Sequence, residues 1–214
     1  MAETNKRVRR TAVEARTLIL NAAEARLQSD GPEGLKVQEV AAVAGVAHST
    51  VLHHFGSAAG LRAALVEDMG KRLLEDILAL FKSRDAGQAD SQVLFNVFAT
   101  LSDKGHARLM AWMMLKGDQP TGSNERTQAL FHQLIEEVAA TMVYQDDQSE
   151  KAWRQARRTA RFATMLAAVA AVGDGISGGF LAEQIGLSEK EAKTEFRSWF
   201  AQVLNGETNR DICP

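Results

Sequence analysis

Only one cysteine, three prolines and one tyrosine occur in 214 residues, and aromatic residues make up 6% of the chain. Each scarcity closes off a class of protein. The lone thiol, Cys213, lies next to the C-terminus and has no second cysteine to pair with, so the chain reads as one adapted to a reducing cytoplasm rather than as a disulfide-stapled secreted domain. Few prolines, many alanines and long periodic apolar runs, with almost no alternating pattern, exclude a sheet protein and predict an all-α fold. The longest apolar stretch, Phe162 to Val172, is far short of the roughly twenty residues of a membrane span, and no apolar segment of signal-peptide type follows the basic start. No partnership with a membrane is expected. A nucleophile motif, a glycine-rich phosphate loop and paired cysteines are also lacking, so no enzyme, cofactor or metal site is expected. The adjacent pair His53-His54 does not alter this, because neighbours on a helix point in different directions and no third ligand is evident.

The net charge of −2 is unevenly placed. Lys6, Arg7, Arg9, Arg10 and Arg16 against Glu3 and Glu14 give the first sixteen residues +3, which leaves −5 on everything that follows. A short basic arm of this kind can track a phosphate backbone or enter a minor groove when a recognition module stands beside it.

Such a module follows. In Val37 to Phe55, VQEVAAVAGVAHSTVLHHF, Val37, Val40, Ala41 and Ala44 recur at i, i+3, i+4 and i+7 and mark one apolar stripe on a short helix. Gly45 supplies a sharp turn and Val46 buries behind it, while Val51 and Phe55, four apart, anchor a second helix inward. His48, Ser49, Thr50, Leu52, His53 and His54 then face outward, a set rich in short donors and acceptors suited to base edges and phosphates. Two short helices joined by a glycine turn form the helix-turn-helix pattern.

The longer stretch RTLILNAAEARLQSDGPEGLKVQEVAAVAGVAHSTVLHHFGSAAGLRAAL, Arg16 to Leu65, resembles the N-terminal domain of TetR-family transcriptional regulators. The IL-x-AA run, the glycine after the first helix, the AGV turn, the HHF ending and the GL of the next helix fall in the family's order. About a third of the chain carries this likeness; the rest matches in length and helical character only. The resemblance implies a three-helix helix-turn-helix domain followed by a larger helical domain for ligand binding and dimerisation, with the boundary placed at 1–56 and 57–214. By position, Gln38, His48, Ser49 and His53 are the candidates for base contact, and Lys36, Thr50, His54, Arg7, Arg9 and Arg10 for phosphates. Protonation of the histidines near neutral pH would favour phosphate contact, so affinity is expected to rise as the pH falls toward about 6.

Three positions depart from the family pattern. Leu52 stands where a tyrosine is usual and Ala58 where a lysine is usual, both typical backbone contacts. Lys36 replaces a threonine that usually caps the second helix, trading a side-chain acceptor for a positive charge. Because phosphate contacts set affinity and register without reading sequence, weaker and more salt-sensitive binding is expected.

Beyond this region the pattern predicts helices separated by short polar breaks. The first helix, with Ile19, Leu20, Ala22, Ala23 and Leu27 inward, stops at Asp30-Gly31-Pro32. Ser57 caps a long fourth helix running to about Lys82. A loop over Asp85 to Ser91 precedes helices near 91–102, 104–116 and 123–145, with Asp118 to Ser123 as the clearest break. The alanine-rich run Lys151 to Val172 and a closing helix near Ser188 to Leu204, with Ser188 and Glu191 at capping-box spacing, are the expected subunit interface, since small residues let helices approach closely. Gly173, Asp174 and Gly175 are expected to bend or interrupt the first of these. Phe98, Met110, Met113, Met114, Phe131 and Met165 are the candidates for a pocket taking a hydrophobic or aromatic effector, methionine being suited to adaptable pockets. Arg154, Arg157, Arg158 and Arg161 make a basic stripe that could clamp an anionic ligand group but is read as a solvated face, or as one paired with Glu189, Glu191 and Glu195 of a neighbouring helix.

The resulting expectation is a homodimeric, cytoplasmic, ligand-responsive regulator, a repressor that leaves a palindromic DNA operator when a small molecule moves the fourth helix. Two other classes fit parts of the sequence. A helical small-molecule binding protein, even an enzyme, that has lost DNA recognition would explain Leu52 and Ala58. A non-specific nucleic-acid binder would use the basic arm alone.

Overall fold

A computed structural model describes residues 11–82, 89–117, 125–143 and 147–204. Arg7, Arg9, Arg10, Cys213 and the Asp118 to Ser123 break lie outside the described residues. Every regular element among the described residues is helical, and the chain divides into two compact units after Leu65.

In the first unit, α1 (Ala12–Asp30) opens on a capping box in which the Thr11 hydroxyl accepts from the Glu14 amide and the Glu14 carboxylate accepts from the Thr11 amide. Two otherwise orphan donors are thereby satisfied. Ile19, Leu20, Ala22, Ala23 and Leu27 form its buried face. Gly31, at φ +72°, ends the helix before the 3-10 turn Pro32–Gly34. Helix α2 (Val37–Ala44), helix α3 (His48–Phe55) and the first turns of α4 (Ala58–Lys82) complete the unit, with Val37, Val40, Ala41, Ala44, Val51, Leu61 and Leu65 buried.

The second unit contains the rest of α4, then α5 (Ala89–Phe98), α6 (His106–Lys116), α7 (Glu125–Met142), α8 (Glu150–Gly173), α9 (Gly179–Gln184), α10 (Glu189–Glu191) and α11 (Arg197–Leu204). Helix α5 therefore begins inside the stretch expected to be a loop. The core joins Leu73, Leu74, Ile77, Leu78 and Phe81 of α4 to Leu94, Val97 and Phe98, with Ala167 and Ala171 of α8 and Phe200 and Ala201 of α11. Phe98 packs edge-on against Phe196 and Phe200 at ring distances of 6.2 and 6.0 Å, the T-shaped geometry that the ring quadrupoles favour.

Three helical runs contain π turns: one ends in Ala99–Asp103, and two continue through Asp174–Gly178 and Ala192–Phe196. The second lies where Gly173, Asp174 and Gly175 were expected to interrupt the helix; instead the helical backbone continues, so that Glu150–Gln184 is one 35-residue run. By length and composition alone it is long and apolar enough to cross a membrane, a length that the apolar stretch Phe162 to Val172 does not reach by itself. One face of this run joins the core, while most of its apolar window lies outside it.

The alanine expectation is also corrected. Ala156 and Ala160 pack on Ala139 with Ile135, Val138, Met142 and Trp153, while Ala167 and Ala171 join the main core. The small residues serve close approach within the subunit. Away from the core, the run carries Phe162, Met165, Leu166 and Val169 along one stripe and Ile176, Phe180, Leu181 and Ile185 beyond it, all exposed, and Trp199 and Val203 of α11 are exposed as well.

Candidate nucleic-acid interface

Helix α2 closes on Gly45, which adopts the left-handed conformation at φ +63° and ψ +36°. The Gly45 amide donates to the Ala42 carbonyl at 3.2 Å and the Val46 amide to the Ala41 carbonyl at 3.0 Å, a Schellman closure that aims the chain back toward α3. Only glycine holds this conformation without the Cβ penalty. Val46 is half-buried behind the turn and Val51 is fully buried, so α3 sits with one face down and the other outward.

That outward face holds His48, Ser49 and His53, all exposed, with Thr50, Leu52 and His54 half-buried at its edges. Gln38 and Lys36 are exposed at the start of α2. His53 and His54 lie edge to face at 5.5 Å, and His54 is 6.2 Å from the Phe55 ring. Neither short helix has a side-chain cap at its N-terminus, where Lys36 and Ala47 occupy the cap positions. Uncapped first-turn amides and the positive end of the helix dipole suit phosphate oxygens.

Two contacts escaped the sequence reading. The Arg16 guanidinium lies 4.7 Å from the centre of the Phe55 ring, a cation–π contact that ties α1 to the end of α3. Glu39 accepts from Lys36 Nζ at 3.1 Å and also pairs with Arg26, which in turn pairs with Asp30. The Lys36 hydrogen bond, followed by that from Arg26, holds the Glu39 carboxyl below its ordinary range. The helix-start spacing of Lys36 and Glu39 was the available signal; the link to Arg26, thirteen residues away, had none.

Gly60, in the first turn of α4, is required by proximity. A Cβ there would stand 2.0 Å from the Phe55 carbonyl oxygen, while the Gly60 amide donates to Ser57 Oγ at 3.0 Å. The end of α3 and the start of α4 thus fold over each other at van der Waals limit.

Residues 19–65 match the family of bacterial regulatory proteins of the TetR family. The N-terminal unit belongs to the TetR family. No curated protein matches the chain. Among solved structures, a protein described as a TetR-family transcriptional regulator from Mesorhizobium loti MAFF303099 aligns over 92% of this chain and 96% of its own at 14% identity, with a TM-score of 0.60. A transcriptional regulator from Rhodococcus sp. Rha1 aligns over 89% and 96% at 17% identity and TM-score 0.55. A third, from work on control of antibiotic production by bacterial hormones, aligns over 92% and 98% at 17% identity and TM-score 0.55. At such identities these likenesses show a shared fold and no more.

The proposed effector residues do not share one environment. Phe98 is wholly enclosed by core aromatics and Met113 is also buried, whereas Met110 is half-buried and Met114, Phe131 and Met165 are exposed. Met165 belongs to the outward stripe of α8. The arginine stripe is likewise redistributed. Arg157 Nε donates to both Glu136 oxygens on α7 at 2.8 and 3.0 Å, and its guanidinium lies 5.3 Å from the Trp153 ring centre, while Glu189 pairs with Lys193 and Glu191 closes the Ser188 capping box. Neighbours three and four residues away in their own helical segment, not the Arg154–Arg161 row, are the partners of Glu189 and Glu191.

Proposed function

We propose that this TetR-family chain is a homodimeric DNA-binding transcriptional regulator, a repressor that leaves its operator when a small hydrophobic or aromatic molecule binds the second unit. The observation that carries the reading is the outward row His48, Ser49 and His53 on a helix seated by buried Val51 and aimed by the left-handed Gly45. Those side chains offer donors and acceptors at groove depth, with Gln38, Thr50, His54 and Lys36 beside them for phosphates and neighbouring bases. The arm residues Arg7, Arg9 and Arg10 add backbone affinity.

One eight-residue reading helix per chain contacts few base pairs, so useful affinity calls for two heads on paired half-sites about one DNA turn apart. The outward apolar face Phe162 to Val169, with Trp199 and Val203, supports such pairing: exposed apolar residues contiguous along a helix mark an association surface. A structural neighbour from work on bacterial hormones is in keeping with a small-molecule input. An effector that favours one spacing of the two heads by a few kcal/mol would suffice for release.

The test is fluorescence anisotropy of the full chain against labelled DNA from upstream of its own gene, with a shuffled duplex as control, across a salt series. Binding to the native fragment alone at near-physiological salt supports the regulator. Equal or absent binding to both overturns it in favour of a second reading, a helical small-molecule binding protein without DNA recognition, which Leu52 and Ala58 favour.

A further inference from the structure

The three π turns of the second unit meet at one ion cluster built around the buried Arg197. Asp103 ends the first turn, Asp174 begins the second, and Arg197 directly follows the third. Arg197, 7% exposed, donates to both oxygens of Asp103 at 2.9 and 2.8 Å and to Asp174 Oδ2 at 3.1 Å. Ser102 Oγ donates to the same Asp174 oxygen at 2.7 Å, and the guanidinium lies 4.9 Å from the Phe98 ring centre. Backbone contact reinforces the cluster: a Cβ on Gly175 would stand 2.9 Å from Ser102 Cα and 3.1 Å from the Leu101 carbonyl oxygen.

A π turn amounts to one residue inserted into an α-helix. It costs hydrogen-bond geometry and persists where surrounding contacts hold it. Its consequence here concerns phase. Counted at about 100° per residue, an unbroken α-helix would put Leu181 and Ile185 about 110° and 150° from the centre of the Phe162, Met165, Leu166 and Val169 stripe, on the side that α8 turns to the core. With one residue absorbed at Asp174–Gly178, both fall within about 50° of the stripe. Their exposures, 53% for Leu181 and 73% for Ile185, fit the second count.

We propose that the Arg197 cluster is a register clasp. It pins the π turn at Asp174–Gly178, and so fixes that Leu181 and Ile185, rather than Phe180, extend the apolar face of α8 on which a second copy of the chain sits. Releasing the clasp lets the inserted residue be absorbed into α-helix, which rotates α9 by one residue position and takes Leu181 and Ile185 off the face. The identity of the occupant rests on the self-association proposed above; the clasp itself does not.

The experiment uses the full chain, deuterated for NMR, as wild type, Arg197→Met, and Arg197→Met with Ser177 deleted. Scalar couplings across hydrogen bonds report whether amides at the end of 174–178 bond five or four residues back, and sedimentation reports self-association. Five-back couplings are expected in the wild type, four-back couplings in Arg197→Met with self-association at least about tenfold weaker, and recovery of self-association in the deletion variant, because removing the extra residue returns Leu181 and Ile185 to the stripe. Loss of packing alone would not be repaired by shortening the chain. Five-back couplings that survive Arg197→Met, or a deletion that fails to restore association, overturn the clasp. Should Arg197→Met not fold by circular dichroism, Asp174→Asn, which keeps side-chain volume, takes its place with the same outcomes. A wild type that stays monomeric refutes the occupant, and the couplings still decide the clasp.

Discussion

Lys36 and Glu39 meet at 3.1 Å across the first turn of α2, with Arg26 on the other side of the same carboxylate. The cation that replaces the usual capping threonine is therefore engaged with an acid one turn away. Glu39→Gln frees Lys36 for a phosphate and removes a negative charge from the proposed DNA-facing side, so affinity for DNA is expected to rise roughly several-fold, with a steeper loss of affinity as salt is added. Unchanged affinity and salt slope in anisotropy titrations would show that Lys36 does not contact DNA.

The same carboxylate gives the pH dependence a sign. Glu39 and Glu191 are both held below the ordinary glutamate value of 4.5, Glu39 chiefly by the Lys36 hydrogen bond and Glu191 by the Ser188 hydroxyl and amide. A carboxyl whose folded value is depressed contributes stability above its unfolded value and loses it as the pH falls through the folded one. Stability should thus be flat near neutrality and decline below about pH 4.5. In Glu39→Gln and Glu191→Gln the acid limb of a melting-temperature series is expected to be shallower; an unaltered limb would contradict the assignment.

Leu52 on α3 and Ala58 at the start of α4 stand at positions where tyrosine and lysine are usual in the TetR family. Ala58→Lys is expected to tighten binding and to steepen the plot of log affinity against log salt by about 0.9, the increment of one phosphate contact, and to leave preference for the native fragment over a shuffled one almost intact. Leu52→Tyr adds a neutral hydrogen bond and should tighten binding with little change in slope. Were Ala58→Lys silent in both quantities, position 58 would lie away from the backbone.

Leu166 and Val169 stand exposed in the middle of the α8 stripe, 49% and 58% accessible, while their neighbours Ala167 and Ala171 are core. Leu166→Glu with Val169→Glu is expected to yield a folded monomer by sedimentation, with DNA affinity lost in parallel because two reading heads no longer act together. Self-association that survives both charges would place the interface elsewhere. Binding of the wild type to anionic vesicles in place of self-association would assign the stripe to a lipid surface.

The division between what was legible in the sequence and what was not follows the range of the forces. The α1 and α2 faces, the Gly45 turn, the Ser57 and Ser188 caps and the outward row of α3 depend on spacing within a helix or one turn, so periodicity and cap chemistry reveal them. Thr11 and Glu14 stand at capping-box spacing too, a local signal that lies at the edge of the basic arm. The alanine face of α8 was misassigned for a physical reason: small residues permit close approach to any helix, and nothing local states whether that helix is α7 of the same chain or one of a partner. The π turns were beyond reach, since Arg197 and Asp103 are 94 residues apart in sequence and neither carries a local sign of the other. Among the proposed effector residues, hydrophobicity identified Phe98 and Met113 as inward but could not separate them from Met165, whose apolar side chain faces out.

Two glycines two residues apart separate local from tertiary demands. At Gly173 an added Cβ meets nothing within 4 Å, whereas at Gly175 it would stand 2.9 Å from both Ser102 Cα and Ala107 Cβ. Neither has a positive backbone φ, so the backbone tolerates alanine at both and the difference lies in packing alone. Gly173→Ala removes the entropy cost of glycine in a helix and is expected to stabilise by about 0.5–1 kcal/mol. Gly175→Ala gains the same helix term but must push a backbone segment outward, and overpacking of a close contact costs about 1–3 kcal/mol. A net loss is expected, with the displacement passed to Ser102 and so to Asp174 and Arg197. Chemical denaturation of the two variants should move the midpoint in opposite directions; equal shifts would mean that the π turn at Asp174–Gly178 does not lie against Ala99–Asp103 as closely as the structure places it.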